Sequence, residues 1–199
     1  MDPSLTSVEL GRRLRDVIPG AALEVLALPD APNIRLALLQ PSYPQHLLDS
    51  EAITKIMNTP MYWAFCWASG QVLARLIMDN PHYVKGRRVL DFGAGSGVAG
   101  IAAALAGARE VVVCDNDPLA LLACQRNAQI NGVTLKLSPA FESYEGAIDI
   151  ILASDVLYDR ENLGWLEVFL RRAPSVLVAD SRIRDFRAKN YQLISTSSS

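Results

Sequence analysis

Three glycines at alternate positions follow a short apolar segment that contains one carboxylate. Residues 89–97 have the sequence Val-Leu-Asp-Phe-Gly-Ala-Gly-Ser-Gly, with Asp91 in the apolar part and Gly93, Gly95 and Gly97 after it. Glycine adopts positive φ without strain, and its backbone N–H groups can come close to a ligand. A turn of this kind between a strand and a helix is typical of cofactor-binding loops. We therefore predict that this segment holds a cofactor.

Two kinds of cofactor loop are compatible with this segment. Residues 95–100 match the dinucleotide pattern Gly-x-Gly-x-x-Gly, and Asp115 lies at a suitable distance for a ribose. In a dinucleotide site, however, the first glycine of the pattern belongs at the strand-to-helix turn, whereas this turn already opens at Gly93. The carboxylate of Asp91 also suits a ligand with an ammonium group better than one with phosphates. The alternative without a ligand is that Asp91 caps the turn and the glycines only pack.

Asp115 follows the apolar residues 111–114, which form a candidate strand. A carboxylate at the end of the second strand can accept hydrogen bonds from both hydroxyls of a ribose. We predict this role for Asp115, the alternative being an ordinary surface aspartate. Asp117 is instead the predicted N-cap of the next helix, because Pro118 suits the first helical position.

Asp155 and Tyr158 follow another apolar segment and form the pattern Asp-x-x-Tyr. The preceding residues 148–153 are a candidate strand, so the pattern comes at the carboxyl end of that strand. Ligands of open α/β sheets bind beyond this edge, and we therefore expect both side chains to face the same cleft as the glycine turn. The alternative is that the pattern caps the strand and orders the loop that follows.

The segments around these motifs alternate between strand and helix patterns. Apolar runs of strand length are bounded by turn residues and separated by helical periodicity. The predicted strands are 88–92, 110–115, 133–137, 148–153 and 175–179, with a further one beginning at 191, and the predicted helices are 69–79, 98–106, 118–131 and 161–172. This alternation predicts an α/β fold with a doubly wound, mostly parallel Rossmann-like sheet.

Residues 1–60 differ from the rest because they contain seven of the eleven prolines. Their patterns predict a helix near the start, a hairpin formed by residues 23–28 and 34–40, and a helix at 46–57. We interpret residues 1–60 as an N-terminal α+β extension or lid and residues 61–199 as the cofactor-binding domain, the two forming one folded unit.

With these motifs in place, the chain resembles the class I (seven-β-strand) methyltransferases that use S-adenosylmethionine. Within that class it is similar to the Asp-x-x-Tyr group known as methyltransferase family 16. The resemblance is carried by Asp91-x-Gly-x-Gly, by Asp115 and by Asp155-x-x-Tyr158, and it covers roughly residues 63–185. It implies the Rossmann-like fold of the class I type for this part of the chain.

Residues 60–70 look most like the bacterial relatives of the lysine methyltransferase for the electron-transfer-flavoprotein β subunit. The resemblance therefore implies S-adenosylmethionine as cofactor and a protein lysine as methyl acceptor, with that flavoprotein subunit or a ribosomal protein as candidate substrates. It assigns Asp155 and Tyr158 to the substrate amine as the catalytic pair. The implied cofactor contacts are Trp67, Asp91, Gly93, Gly95, Asp115, Phe141 and Ser154.

Three other functions remain open at this point. The first is a methyltransferase that uses the same cofactor on a small molecule or on another protein atom. The second is a nicotinamide-dependent reductase built on the Gly-x-Gly-x-x-Gly pattern. The third is a protein that binds S-adenosylmethionine without catalysing a reaction. Binding of the two cofactor classes and labelling of a protein by the methyl donor would distinguish them.

Composition limits the partners that we expect. With 19 Lys and Arg against 21 Asp and Glu, the formal net charge of −2 offers no positive field for nucleic acid. Half of the 199 residues are hydrophobic, but no apolar run has the length of a membrane span, and the first residues carry no signal-peptide pattern. Three cysteines and two histidines are too few for a zinc site at these spacings. We expect a cytoplasmic enzyme without nucleic acid, membrane or metal partners.

Overall fold

The structure is a computed structural model that describes residues 3–44, 48–157, 160–182 and 187–196. Its helices are α1 (Pro3–Val17), α2 (Ser50–Asn58), α3 (Ala68–Asp79), α4 (Val98–Leu105), α5 (Pro118–Ile130) and α6 (Trp165–Arg172). Its strands are β1 (Leu23–Ala27), β2 (Arg35–Leu39), β3 (Arg88–Phe92), β4 (Glu110–Cys114), β5 (Lys136–Ser138), β6 (Ile150–Ser154) and β7 (Val176–Ala179). No helix in these ranges is long and apolar enough to cross a membrane.

β3 lies at the centre of a five-stranded sheet. The strand order is β5-β4-β3-β6-β7, and every neighbouring pair is parallel. Leu90 of β3 is in register with Val112 of β4 on one side and with Ile151 of β6 on the other. The carboxyl ends of β3, β4 and β6 therefore meet at one edge of the sheet. This topology confirms the predicted α/β fold with a parallel sheet.

Helices cover both faces of the sheet because its central strands are apolar on both sides. On one face, Val89 of β3 packs in a cluster with Ile77 of α3 and Ile101 of α4. On the other face, Leu90 packs in a cluster with Phe169 of α6. Successive residues of β3 thus enter different halves of the core, as the alternation of a strand requires.

The N-terminal segment shares its core with the helices of the sheet. Leu10 and Leu14 of α1 pack with Ala120 and Ala123 of α5. β1 and β2 form the predicted antiparallel hairpin, and Leu36 of β2 belongs to the same apolar cluster as α3 and α4. The hairpin is therefore held by α5 and by the core of the sheet, whereas the division of the chain at residue 60 stays a prediction.

The strand predicted to begin at residue 191 is wrong for the described part of the tail. Residues 191–196 form no strand. Tyr191 instead packs beside α6, and its hydroxyl donates a hydrogen bond to the Leu166 carbonyl (2.9 Å). The side chains of Leu193 and Ile194 stay exposed. One side-chain contact with α6 therefore anchors the tail, without a strand ladder.

Several predicted boundaries also shift: β6 begins at Ile150 rather than at residue 148, and α6 begins at Trp165 rather than at residue 161. β5 pairs with β4 only from residue 136, and the predicted start at 133 is wrong because Val133 and Leu135 pack into the core instead. α2 begins at Ser50, since the Asp49 side chain caps it by accepting a hydrogen bond from the Ala52 N–H (2.8 Å). The predicted helix start at 46 falls on residues 45–47, which lie outside the described ranges.

Candidate functional site

A cavity of about 680 Å³ opens at the carboxyl ends of β3, β4 and β6. This volume is typical of a small-molecule site. Its lining includes Gly93 and Gly95 after β3, Asp115 after β4, and Ser154 and Asp155 at the end of β6. The predicted cofactor loop and Asp155 of the Asp-x-x-Tyr motif therefore border the same space. Tyr158 itself lies outside the described residues.

The glycine loop needs glycine at two positions for different reasons. Gly97 is the N-cap of α4 with φ +80°, and a Cβ there would stand 2.9 Å from Cys124 Sγ and 3.3 Å from its Cα. Gly95 has φ +52°, but only the Gly93 carbonyl, at 4.0 Å, would be near its Cβ. Gly97 thus packs against α5, whereas the space that a Cβ of residue 95 would occupy is free of close neighbours among the described residues.

Asp91 lies beneath the loop rather than in the cavity. Its carboxylate is 1 % exposed and accepts a hydrogen bond from the Gly100 N–H (2.8 Å) in the first turn of α4. Burial raises the pKa of Asp91 to about 7, against the lowering effect of the Gly100 hydrogen bond. Asp91 is not among the residues that line the cavity. In this structure the carboxylate points to α4, and the expected direct contact with a ligand ammonium group stays a prediction.

Asp115 faces the loop from the end of β4. Its Oδ2 accepts from the Gly95 N–H and its Oδ1 from the Asp117 N–H, both at 2.9 Å. An ionised carboxylate offers about four acceptor positions, so both oxygens keep capacity for hydroxyl donors. Burial raises the pKa of Asp115 above its ordinary value, and the backbone hydrogen bonds oppose that rise. Asp117 is the N-cap of α5, as predicted, and accepts from the Leu119 N–H.

Asp155 joins three segments at the other side of the cavity. It has φ +53°, which an aspartate adopts at some cost. Its Oδ1 accepts from the hydroxyls of Ser69 (2.6 Å) and Ser181 (2.9 Å), and its Oδ2 accepts from the Ser69 N–H (3.0 Å). Asp155 thereby caps the first turn of α3 and holds the segment after β7. Its predicted role at a substrate amine stays a prediction.

Aromatic side chains form the remaining walls. Phe141 is buried, lines the cavity and contacts Phe92 edge to face, with ring centroids 5.4 Å apart. Trp67 lines the cavity mouth with 41 % of its surface exposed, and its indole N–H donates to the Tyr62 carbonyl (3.2 Å). Trp63 also lines the cavity, and its buried indole N–H has no hydrogen-bond partner among the described residues. With Trp165, all three tryptophans therefore border the space, although the sequence indicated only Trp67.

Three residues that the sequence analysis missed hold the site together. Ser69 and Ser181 carry the hydrogen bonds of Asp155. Asn127 of α5 donates to the Ser96 carbonyl inside the glycine loop (2.9 Å). A serine near the start of a predicted helix is the one signal that could have indicated Ser69, since capping residues concentrate there.

The chain is similar to known methyltransferases in its fold and in part of its sequence. The 16S rRNA N2 G1207 methyltransferase of Thermus thermophilus, solved in complex with AdoMet and guanosine, superposes with a TM-score of 0.51. It is 20 % identical, and the match covers 77 % of this chain and 39 % of that one, so it shows the fold alone. The family described as "Ribosomal protein L11 methyltransferase (PrmA)" matches residues 75–158.

The curated relatives narrow this resemblance. The electron transfer flavoprotein beta subunit lysine methyltransferase of Mus musculus is 33 % identical over 146 residues, covering 67 % of this chain and 57 % of the relative. The ribosomal protein L11 methyltransferase of Xanthomonas axonopodis pv. citri is 45 % identical over 84 residues, covering 38 % and 28 %. The chain thus spans about half the length of the first of these relatives and less of the second. The predicted resemblance to class I methyltransferases is confirmed.

Proposed function

We propose that this protein transfers a methyl group from S-adenosylmethionine to a lysine side chain of another protein. The observation that carries the proposal is the cavity that a glycine loop after β3 and a carboxylate after β4 border together. The names of the curated relatives support lysine as the acceptor. The cytoplasmic location and the absence of nucleic-acid and membrane partners remain predictions from the sequence.

The charges around the cavity suit a cationic cofactor. S-adenosylmethionine carries a sulfonium and an ammonium group, whereas a dinucleotide carries a pyrophosphate. Among the described residues that line the cavity, the Asp, Glu, Lys and Arg side chains are those of Asp115, Asp117, Glu142, Asp155 and Arg182. Four carboxylates against one guanidinium favour the sulfonium compound and disfavour a pyrophosphate. This argument supports S-adenosylmethionine over the nicotinamide alternative.

Each predicted cofactor contact has a role that its position allows. Asp115 would accept from the ribose hydroxyls with the acceptor positions that Gly95 and Asp117 leave unused. Gly93 and Gly95 would let the ligand reach the backbone, and Phe141, Trp67 and Ser154 would bound its remaining surface. Asp91 would act indirectly, by holding the first turn of α4 under the loop.

Asp155 keeps one acceptor position for a substrate. Of about four positions on its carboxylate, Ser69 and Ser181 fill three, which leaves one on Oδ2. We assign that position to the target amine, with Tyr158 beside it as the sequence implies. When bound, the cofactor supplies a methyl group on a positively charged sulfur, which leaves with the S–C electron pair. The lysine ammonium must first lose a proton to water, so that its lone pair can form the N–C bond.

Two substrate proteins are suggested by the relatives. The electron transfer flavoprotein β subunit is the first candidate, because relatives matched over 67 % and 65 % of this chain carry its name. Ribosomal protein L11 is the second, because the matching family and the Xanthomonas relatives are named for it. Positioning of the amine against the methyl group is the main requirement for either substrate, since this reaction needs little acid–base assistance.

Calorimetry followed by a methylation assay tests the proposal. The purified protein should bind S-adenosylmethionine and S-adenosylhomocysteine, and should release no heat with NAD or NADP. With tritiated S-adenosylmethionine, it should then label purified β subunit or L11 on lysine, identified by mass spectrometry. Binding of NADP without binding of S-adenosylhomocysteine would refute the cofactor assignment. Cofactor binding with label on a non-lysine atom would refute the acceptor assignment.

A further inference from the structure

One buried side chain connects the N-terminal hairpin with the glycine loop. Asn127 of α5 is completely buried. Its Nδ2 donates to the Ser96 carbonyl in the loop (2.9 Å), and its Oδ1 accepts from the Ala37 N–H of β2 (2.8 Å). Asn127 lies 31 positions after Ser96 and 90 positions after Ala37, so its amide joins segments that are far apart in the sequence.

A second asparagine makes a related but different contact. Asn131, the C-cap of α5, accepts from the Arg35 N–H (3.0 Å) and donates to the Arg35 carbonyl (2.6 Å). Arg35 and Ala37 are alternate residues of β2, so the two asparagines supply partners for the edge of β2 that faces away from β1. The hydrogen bonds found for the Asn131 side chain reach the hairpin and α5 itself, but not the glycine loop.

The Ser96 carbonyl lies in the part of the loop whose conformation depends on its hydrogen bonds. Ser96 lies between Gly95 (φ +52°) and Gly97 (φ +80°), and both Gly95 and Ser96 line the cavity. Glycines can take many other backbone angles, so hydrogen bonds must select the conformation that the ligand meets. Water does not reach the Asn127 amide, and the Ser96 carbonyl would lose its buried donor if that amide were changed.

We propose that Asn127 is a positioning residue for the cofactor loop, through which the β1–β2 hairpin contributes to cofactor affinity. No residue of β1 or β2 is among the described residues that line the cavity, so the contribution is indirect, and the Asn127 amide is the hydrogen-bonded link between the hairpin and the loop. This inference rests on the proposed binding of S-adenosylmethionine at the loop. It means that cofactor affinity depends on Asn127 as well as on the residues of the motifs.

Asn127→Asp and Asn131→Ala form a matched pair for the test. Asn127→Asp keeps the side-chain shape and the acceptor for Ala37, but it replaces the donor to Ser96 by an oxygen. Asn131→Ala loosens the same hairpin from the same helix without touching the loop. Amide hydrogen exchange of the ligand-free protein, thermal unfolding and calorimetry with S-adenosylhomocysteine are measured on both variants and on the unchanged protein.

In Asn127→Asp, residues 93–97 should exchange faster, and S-adenosylhomocysteine should bind about tenfold more weakly, as expected for the loss of one buried hydrogen bond. In Asn131→Ala, Tm should fall while loop exchange and affinity stay unchanged. If Asn127→Asp does not fold, Asn127→Ala replaces it, because that change introduces no buried charge.

Unchanged loop exchange and affinity in a folded Asn127 variant would overturn the inference. An equal loss of affinity in Asn131→Ala would also overturn it, because the hairpin would then act without the Ser96 hydrogen bond. Failure of the unchanged protein to bind S-adenosylhomocysteine would refute the proposed function instead. The exchange comparison would still decide whether Asn127 positions the loop.

Discussion

Asp115 and Asp155 each follow a buried strand beside β3, yet the two carboxylates are held differently. Asp115 accepts from the backbone of Gly95 and Asp117, which belong to its own turn and to the facing loop. Asp155 accepts from Ser69, 86 positions earlier, and from Ser181, 26 positions later. The same group at the same sheet edge therefore organises one loop in the first case and joins distant segments in the second.

This difference separates binding from stability at the two ends of the cavity. Removal of Asp115 takes away acceptors for a ligand, while β4 and α5 keep their own capping and packing contacts. Removal of Asp155 leaves the Ser69 N–H in the first turn of α3 without its acceptor. It also removes the hydrogen bond that holds Ser181 in the segment after β7. We therefore expect one variant to lose mainly affinity and the other to lose stability as well as activity.

Asp155→Ala should have the largest effect. Loss of its three charge-assisted hydrogen bonds and of the α3 cap should lower the free energy of unfolding by about 2–4 kcal/mol. Tm should fall by about 4–16 °C for a chain of this size. Lysine methylation should fall by about a hundredfold or more, because the amine loses its acceptor. Thermal unfolding and the tritium assay, made on one preparation, measure both losses.

Asp155→Asn separates the two roles of this carboxylate. The amide oxygen can still accept from Ser69, so most of the stability should remain, but a neutral amide cannot attract the ammonium form of the substrate. Methylation should therefore stay low while Tm recovers. Methylation at the unchanged rate in Asp155→Asn would remove the carboxylate from the reaction and leave it as a purely structural link.

Asp115→Ala should be the converse case. Loss of two acceptors for ribose hydroxyls should cost about 2–4 kcal/mol of binding free energy, or about thirtyfold or more in affinity for S-adenosylhomocysteine. Its Tm without ligand should fall less than that of Asp155→Ala, because the hydrogen bonds that are lost lie only in the glycine loop and in the turn after β4. The matched control is Asp117→Ala, which removes the same charge two residues later and should lower Tm through the lost α5 cap while weakening binding much less than Asp115→Ala does. Equal affinities in the two variants would show that Asp115 is not the ribose acceptor.

The comparison also explains how far the sequence could predict the site. The loop at residues 93–97, the Asp117 cap and the strand ends follow from local patterns, because their partners lie in the same turn or in adjacent elements. The partners of Asp155 and Asn127 lie 86 and 90 positions away, and no local spacing indicates them. Asp91 was placed on the correct strand, but its burial beneath α4 depends on how closely Gly100 lets the helix approach.

Asp91→Asn should change the pH dependence of stability. The pKa of Asp91 is about 7 in the folded protein, against an ordinary value of 3.8, because burial penalises its charge. Between these values the folded state holds a proton that the unfolded chain has released. Stability should therefore fall as pH rises through this window, with the loss complete above about pH 7. Asparagine can still accept from Gly100 but does not titrate.

Urea unfolding of both proteins at about pH 5 and about pH 8.5 measures this effect. Relative to Asp91→Asn, the unchanged protein should have a lower free energy of unfolding at the higher pH than at the lower pH. Asp115, whose pKa is also raised, is present in both proteins and cancels in the difference. Parallel pH profiles would mean that Asp91 does not carry this dependence.

Ser181→Ala should have the smallest effect and should sharpen the description of Asp155 as the joining residue. The serine is exposed and gives one hydrogen bond to Oδ1, so its loss should cost only about 0.5–1 kcal/mol of unfolding free energy. The two Ser69 hydrogen bonds should persist and keep α3 capped. In the Asp155→Ala background, the same change should cost almost nothing, because its partner is already absent. Additive losses in this double-mutant cycle would show that Ser181 stabilises the protein independently of Asp155.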